Sequence, residues 1–92
     1  MPTALARHIL VKTQAEAEKL KQRLAKGEDF AKLAKKHSIC NSGKRGGDLG
    51  EVRPKQMVKP IDNVIFRKPT NQVHGPIKSQ FGFHLVEVIF RD

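Results

Sequence analysis

At 92 residues the chain has room for one small domain, which buries about 60–65% of its unfolded surface and so offers a shallow groove, not a deep cavity, as the form of any site. A single cysteine excludes an internal disulfide and any cysteine-rich zinc module. Lys and Arg number 18 against nine acids, a formal charge of +9, but they are spread along the whole chain, which fits a solvated basic surface better than a nucleic-acid footprint.

The opening residues Met1 to His8 hold no long apolar run, so neither a signal peptide nor a membrane span is expected. A free thiol fits a reducing compartment, and a cytoplasmic location follows as the expectation. Arg7-His8-Ile9-Leu10-Val11-Lys12 is short and β-branched and predicts a strand. With period two, His8 shares a face with Leu10, and Ile9 shares the other with Val11. Apolar residues on both faces predict a central strand and a buried His8.

Thr13 to Glu16 is a capping box that opens a helix with Ala17, Leu20 and Leu24 on one side. Gly27 is placed to end it in a left-handed conformation. Glu28 and Asp29 suit the start of a second helix, which buries Phe30, Leu33 and Ala34 and stops near His37. The stretch from His37 to Gly50 then breaks all periodicity. It holds Cys40, the pair Lys44-Arg45 and four of the seven glycines. Such a segment must turn repeatedly and come close to something, and loops of this kind carry function more often than cores do.

Asp48 to Val52 predicts a short strand, and Arg53-Pro54-Lys55-Gln56 a turn. Pro60 suits a first helical turn, with Ile61, Val64 and Ile65 as the inward stripe of a short helix. Val73 to Lys78 reads as an edge strand, because Pro76 cannot donate to a ladder. Phe81 to Phe90 is the longest β-like run; His84, Val86, Val88 and Phe90 alternate with Phe83, Leu85, Glu87 and Ile89. The whole is an α+β domain over residues 1–92, with helices packed on a small, mostly antiparallel sheet whose first and last strands pair at the centre.

If those strands pair, His8 and His84 meet, and each imidazole finds the partner that burial demands. Read singly, either histidine is an ordinary satisfied core residue. Cys40 is by default a small buried hydrophobe; no oxyanion-hole signature or third orienting group accompanies a Cys–His pair, which speaks against acyl transfer. No ligand pair sits at close spacing, which speaks against a metal site. Met57 offers a flexible thioether, and Leu49 and Phe81 apolar surface, either to the core or to the wall of a groove.

Together these residues resemble the parvulin family of peptidyl-prolyl cis/trans isomerases, and most closely its small single-domain bacterial members. The motifs are His8-Ile9-Leu10-Val11; Leu33 through Cys40; Ser42-Gly43-Lys44-Arg45-Gly46-Gly47-Asp48-Leu49-Gly50; Gln56-Met57-Val58; and Ser79-Gln80-Phe81-Gly82-Phe83-His84. They run in order over nearly the whole chain. The resemblance implies the parvulin (FKBP-like) fold, a four-stranded antiparallel sheet surrounded by three to four helices. It implies His8, Cys40 and His84 as the catalytic set and Leu49, Met57, Ile61 and Phe81 around a proline-binding groove, with Lys44 and Arg45 steering the flanking chain. No cofactor or metal is implied. The partners would be proline-containing segments of client proteins, bound by a monomer.

Two departures are visible. Ile61 stands four positions after the pocket methionine, where many members carry an aromatic, and would give an aliphatic wall. Lys12 passes directly to the Thr13 cap, without the long basic loop of phosphorylation-directed members, so no phosphate requirement is expected. The competing readings are a parvulin-shaped binding module or holdase with little turnover, and a basic nucleic-acid binder, the latter weakened by the scarcity of aromatics for base stacking.

Overall fold

The computed structural model describes residues 3–92; Met1 and Pro2 of the expected 1–92 domain lie outside the described residues. The elements follow one another as β1 (Ala4–Val11), α1 (Gln14–Ala25), α2 (Phe30–His37), a 3₁₀ helix (Asn41–Arg45), β2 (Asp48–Val52), α3 (Lys59–Arg67), β3 (Val73–Ser79) and β4 (Gly82–Arg91). The strands form one antiparallel sheet in the order β2-β1-β4-β3. The first and last strands are therefore its centre, as their two-sided apolar character requires.

The helices start where side chains satisfy their orphan amides. Thr13 Oγ1 accepts from the Glu16 amide at 3.2 Å, and Asp29 Oδ2 accepts from the Lys32 amide at 2.9 Å. Gly27, at φ +99°, turns the chain between α1 and α2. Pro76 falls at an irregularity between His74 and Ile77 on the edge strand β3, where its missing N–H costs no central ladder bond. No helix among the described residues is long and apolar enough to cross a membrane.

Alternation along β1 and β4 divides the core into two clusters. On one face Ile9, Val11 and Leu85 pack with Ala17 and Leu20 of α1 and Phe30, Leu33 and Ala34 of α2. On the other, Ala4, Ala6, Val86 and Val88 pack with Val52 and with Ile61, Val64 and Ile65 of α3. The second face is covered by one short helix, and beyond its reach lie His8, Leu10 and His84.

The glycine-rich segment comes close to β1 itself. Beyond β2, the free edge of β1 is taken up by this loop: the His8 amide donates to Gly47 O at 2.9 Å, and the Ile39 amide donates to Leu10 O at 2.8 Å. Gly47, at φ +85°, lies where a Cβ would collide with the His8 carbonyl oxygen. At the far end of the strand Gly82, at φ +142°, presses in the same way on the Val11 carbonyl oxygen. The sequence predicted an irregular loop here, whereas Asn41–Arg45 winds as one 3₁₀ turn, held by local bonds from Gly43 N to Cys40 O and from Gly46 N to Gly43 O.

Candidate active site

His8 lies opposite Val86, and His84 opposite Leu10, in the β1–β4 ladder. The two histidines are thus diagonal neighbours on one face, a spacing that long side chains can bridge. Both are 3% exposed. Their rings are within 18° of parallel, and Nδ1 of one stands 3.2 Å from Nδ1 of the other.

The outer nitrogens are also satisfied: His8 Nε2 is 2.9 Å from Ser42 Oγ and His84 Nε2 is 2.6 Å from Ser79 Oγ. A row Ser42–His8–His84–Ser79 results. Because a neutral imidazole carries one N–H, the row has two consistent proton orders. With the proton on His8 Nδ1, His8 Nε2 accepts from Ser42 and His84 Nε2–H donates to Ser79; with the proton on His84 Nδ1, every role reverses. Burial disfavours the charged form and pushes the His8 imidazole down from 6.5 to about 4, with the neighbouring His84 adding to the effect. Burial lowers His84 as well. Both rings are therefore neutral at pH 7, as such a row needs.

Above the pair opens a groove of about 230 Å³ lined by His8, Leu10, Cys40, Met57, Val58, Phe81 and His84. The surface it presents is apolar throughout, because the imidazole nitrogens are occupied by each other and by the serines. Cys40 is half-buried and free, and its backbone amide donates to Ser38 Oγ at 3.4 Å; Ser38 Oγ also accepts from the Leu10 amide at 3.1 Å. Phe81 is 57% exposed at the rim. Its amide donates to Ser79 Oγ at 3.1 Å, so the rim loop is tied to the histidine row through one hydroxyl.

Of the residues singled out from sequence, His8, Cys40, Met57, Phe81 and His84 converge on this groove, and four do not. Ile61 needs correction as a groove wall: it is completely buried among Ala4, Ala6, Val52 and Val64, because the helical stripe of α3 turns it into the core. Leu49 packs half-buried on the same cluster without lining the groove. Lys44 is exposed on the 3₁₀ turn. Arg45 lines a different groove with Leu5, Arg7, Asp48 and Ile89, on the sheet face opposite the histidines. Leu10, Val58 and the serines 38, 42 and 79 escaped the sequence reading. For Ser42 and Ser79 a signal existed, since two buried imidazoles have four nitrogens and their mutual bond uses only two.

A scan against family models matches the rotamase PPIC-type PPIase domain over residues 7–89. The chain belongs to the PPIC-type peptidyl-prolyl isomerase family. Foldase protein PrsA of Clostridium tetani is 47% identical over 92 residues, covering 99% of this chain and 27% of that protein. The parvulin NmPin of Nitrosopumilus maritimus superposes with a TM-score of 0.88 at 38% identity, over 98% of both chains. PrsA of Bacillus anthracis, described as a peptidylprolyl isomerase, gives a TM-score of 0.95 at 30% identity over 99% of this chain and 42% of that one. The PPIC-type chain thus spans about a third or less of the curated relatives' length. The fold is the α+β parvulin fold, with four antiparallel strands and three α-helices among the described residues. Among the described residues no group of three His, Cys, Asp or Glu side chains gathers to hold a metal ion.

Proposed function

We propose that this PPIC-type domain accelerates rotation about Xaa–Pro bonds in client proteins and thereby assists their folding, without a phosphate requirement. The observation that carries the reading is the neutral, hydrogen-bonded His8–His84 pair flooring an apolar groove with room for a prolyl ring and the amide beside it. The uncatalysed barrier is about 18–20 kcal/mol, from amide resonance, and spontaneous exchange takes roughly tens to hundreds of seconds. No bond needs to be cleaved; the site has only to bind the twisted amide better than either planar form.

Twisting uncouples the nitrogen lone pair, and a carbonyl that has lost its resonance favours a drier surrounding. In this reading Leu10, Met57, Val58 and Phe81 hold the ring and exclude water, while the carbonyl turns past Cys40 and the imidazoles. The serine-capped histidine row fixes the floor. Cys40 acts by its polarity and size, not as a nucleophile. Leu49, beside Met57 and Val58 on the same apolar cluster, supports the groove from behind.

The client is taken to be any proline-containing segment, an apolar residue before the proline being tolerated, engaged by one copy of the domain. The lone free thiol favours a reducing compartment such as the cytoplasm. Client holding with little turnover is the second reading, favoured by exposed Phe81 and Ile39. A nucleic-acid role is weaker, because Phe81 and Phe90 are the only exposed aromatic side chains among the described residues.

Exchange spectroscopy on an Ala-Leu-Pro-Phe peptide tests the proposal. Wild type should accelerate exchange, and folded His8→Ala should lose about tenfold or more, equal to about 1.4 kcal/mol of barrier. No acceleration by folded wild type would leave only client holding.

A further inference from the structure

Met57 borders two depressions. Besides the apolar groove it lines a second cleft, of about 420 Å³, together with Lys55, Lys59, Asp62, Asn63 and Arg67. We propose that this cleft is an anion subsite that takes the carboxylate of an Asp or Glu side chain lying close to the client proline. The inference rests on the proline-groove reading for its orientation, and it adds what that reading lacks, a preference for the residues around the proline.

Three cations face one acid in the cleft. Among the described residues ion pairs form elsewhere, at Arg7–Glu87, Arg23–Glu28 and Arg53–Glu51, and none involves Lys55, Lys59 or Arg67. The single acid already has a partner: Asp62 Oδ1 accepts from the Lys55 amide at 2.7 Å. That bond spans the turn and holds Lys55 at φ 70°, a conformation uncommon for a side-chain-bearing residue. The turn is thus fixed in shape where the cations gather.

α3 adds to the field. Its N-cap, Val58, has no side chain able to accept a hydrogen bond, so Asp62 is the one acid in the first turn set against the positive end of the helix and Lys59. The carboxamide of Asn63 supplies a neutral donor next to the cations. Because Met57 is a shared wall, the groove and the cleft adjoin, and a peptide leaving the groove on that side passes over the cleft. At about 3.3–3.6 Å per extended residue, an acidic side chain within about three positions of the proline reaches it. Lys44 and Arg45, the basic pair expected to steer the flanking chain, line neither depression.

The test uses Ala-Leu-Pro-Phe peptides carrying one Glu, Gln or Lys either two residues before or two residues after the proline. Binding is followed by chemical-shift titration of the protein, and turnover by exchange spectroscopy. At low salt the Glu peptide should bind about five- to tenfold more tightly than its Gln twin at one of the two positions, with Lys weakest, and the advantage should shrink as salt screens it. The largest shifts should fall on the amides of residues 55–63. Lys59→Glu and Arg67→Glu should each remove most of the Glu advantage, whereas Lys19→Glu on α1, the same charge change across the sheet, should keep it. Equal affinity for Glu and Gln peptides at both positions, or the same loss in Lys19→Glu as in Lys59→Glu, would overturn the subsite. Acid preference without any turnover would support the subsite and remove the isomerase reading; turnover without acid preference would do the reverse.

Discussion

The two faces of the β1–β4 pair are made from the same strands and have opposite fates. On the α1–α2 side two helices cover Ile9, Val11 and Leu85, and the open end is closed by Arg7, which stacks 4.5 Å over the Phe30 ring and pairs with Glu87. On the other side a nine-residue helix shares its cluster with Ala4, Ala6, Val86 and Val88, and His8 and His84 stand outside it. A sheet face left short of cover must either close up or be used. Here the polar groups satisfy one another, and the surface left to the groove is apolar.

The comparison is broken most severely from the closed side. Ile9→Ala should cost about 2–5 kcal/mol of stability in urea unfolding, while turnover per folded molecule stays near wild type; a comparable fall in turnover would show that the faces are coupled. Acid probes the open side. His8 is lowered from 6.5 to about 4 in the folded protein, so the unfolded chain takes up its proton first as pH falls. Stability should therefore be full above roughly pH 6.5 and decline by about 3 kcal/mol toward pH 4, with His84 acting in the same direction. Denaturant midpoints that stay flat across that window would contradict the neutral row.

Smaller substitutions sharpen the boundary between core and groove. Ile61→Val should cost about 0.5–1.5 kcal/mol of stability and leave turnover per folded molecule unchanged; a rise in KM or a fall in kcat would return Ile61 to the groove wall. Cys40→Asp should be milder still, leaving exchange within about tenfold of wild type. Complete loss of exchange in a folded Cys40→Asp protein would point to thiol chemistry.

Much of this was legible in the chain. Period-two alternation placed His8 and His84 on inner faces of the two best strands, and helical spacing placed Phe30, Leu33, Val64 and Ile65 in the core. Ile61 shows where two signals conflict: its helical stripe pointed inward while family position pointed to the groove, and packing decided for the core because α3 has only one apolar side to bury. The serines were hidden because a hydroxyl in a loop, a 3₁₀ turn or at a strand end adds nothing to apolar periodicity, and the role of Ser42 and Ser79 appears only when the nitrogens of buried imidazoles are counted. Lys55, Lys59 and Arg67 were hidden for another reason. They lie far apart along a turn and a helix, and only the fold gathers them next to Met57.

Gly47 and Gly82 bear on protein engineering. Each presses its backbone onto a carbonyl of β1, one at His8 and one at Val11, the end of the strand. A designer who grafts the two imidazoles and their hydroxyl caps into another scaffold will not obtain this floor unless both glycines travel with them, since any side chain at either place would push the strand out of alignment. The transplantable unit is thus a strand with its two bare clamps, and the other residues lining the groove can be redesigned around it.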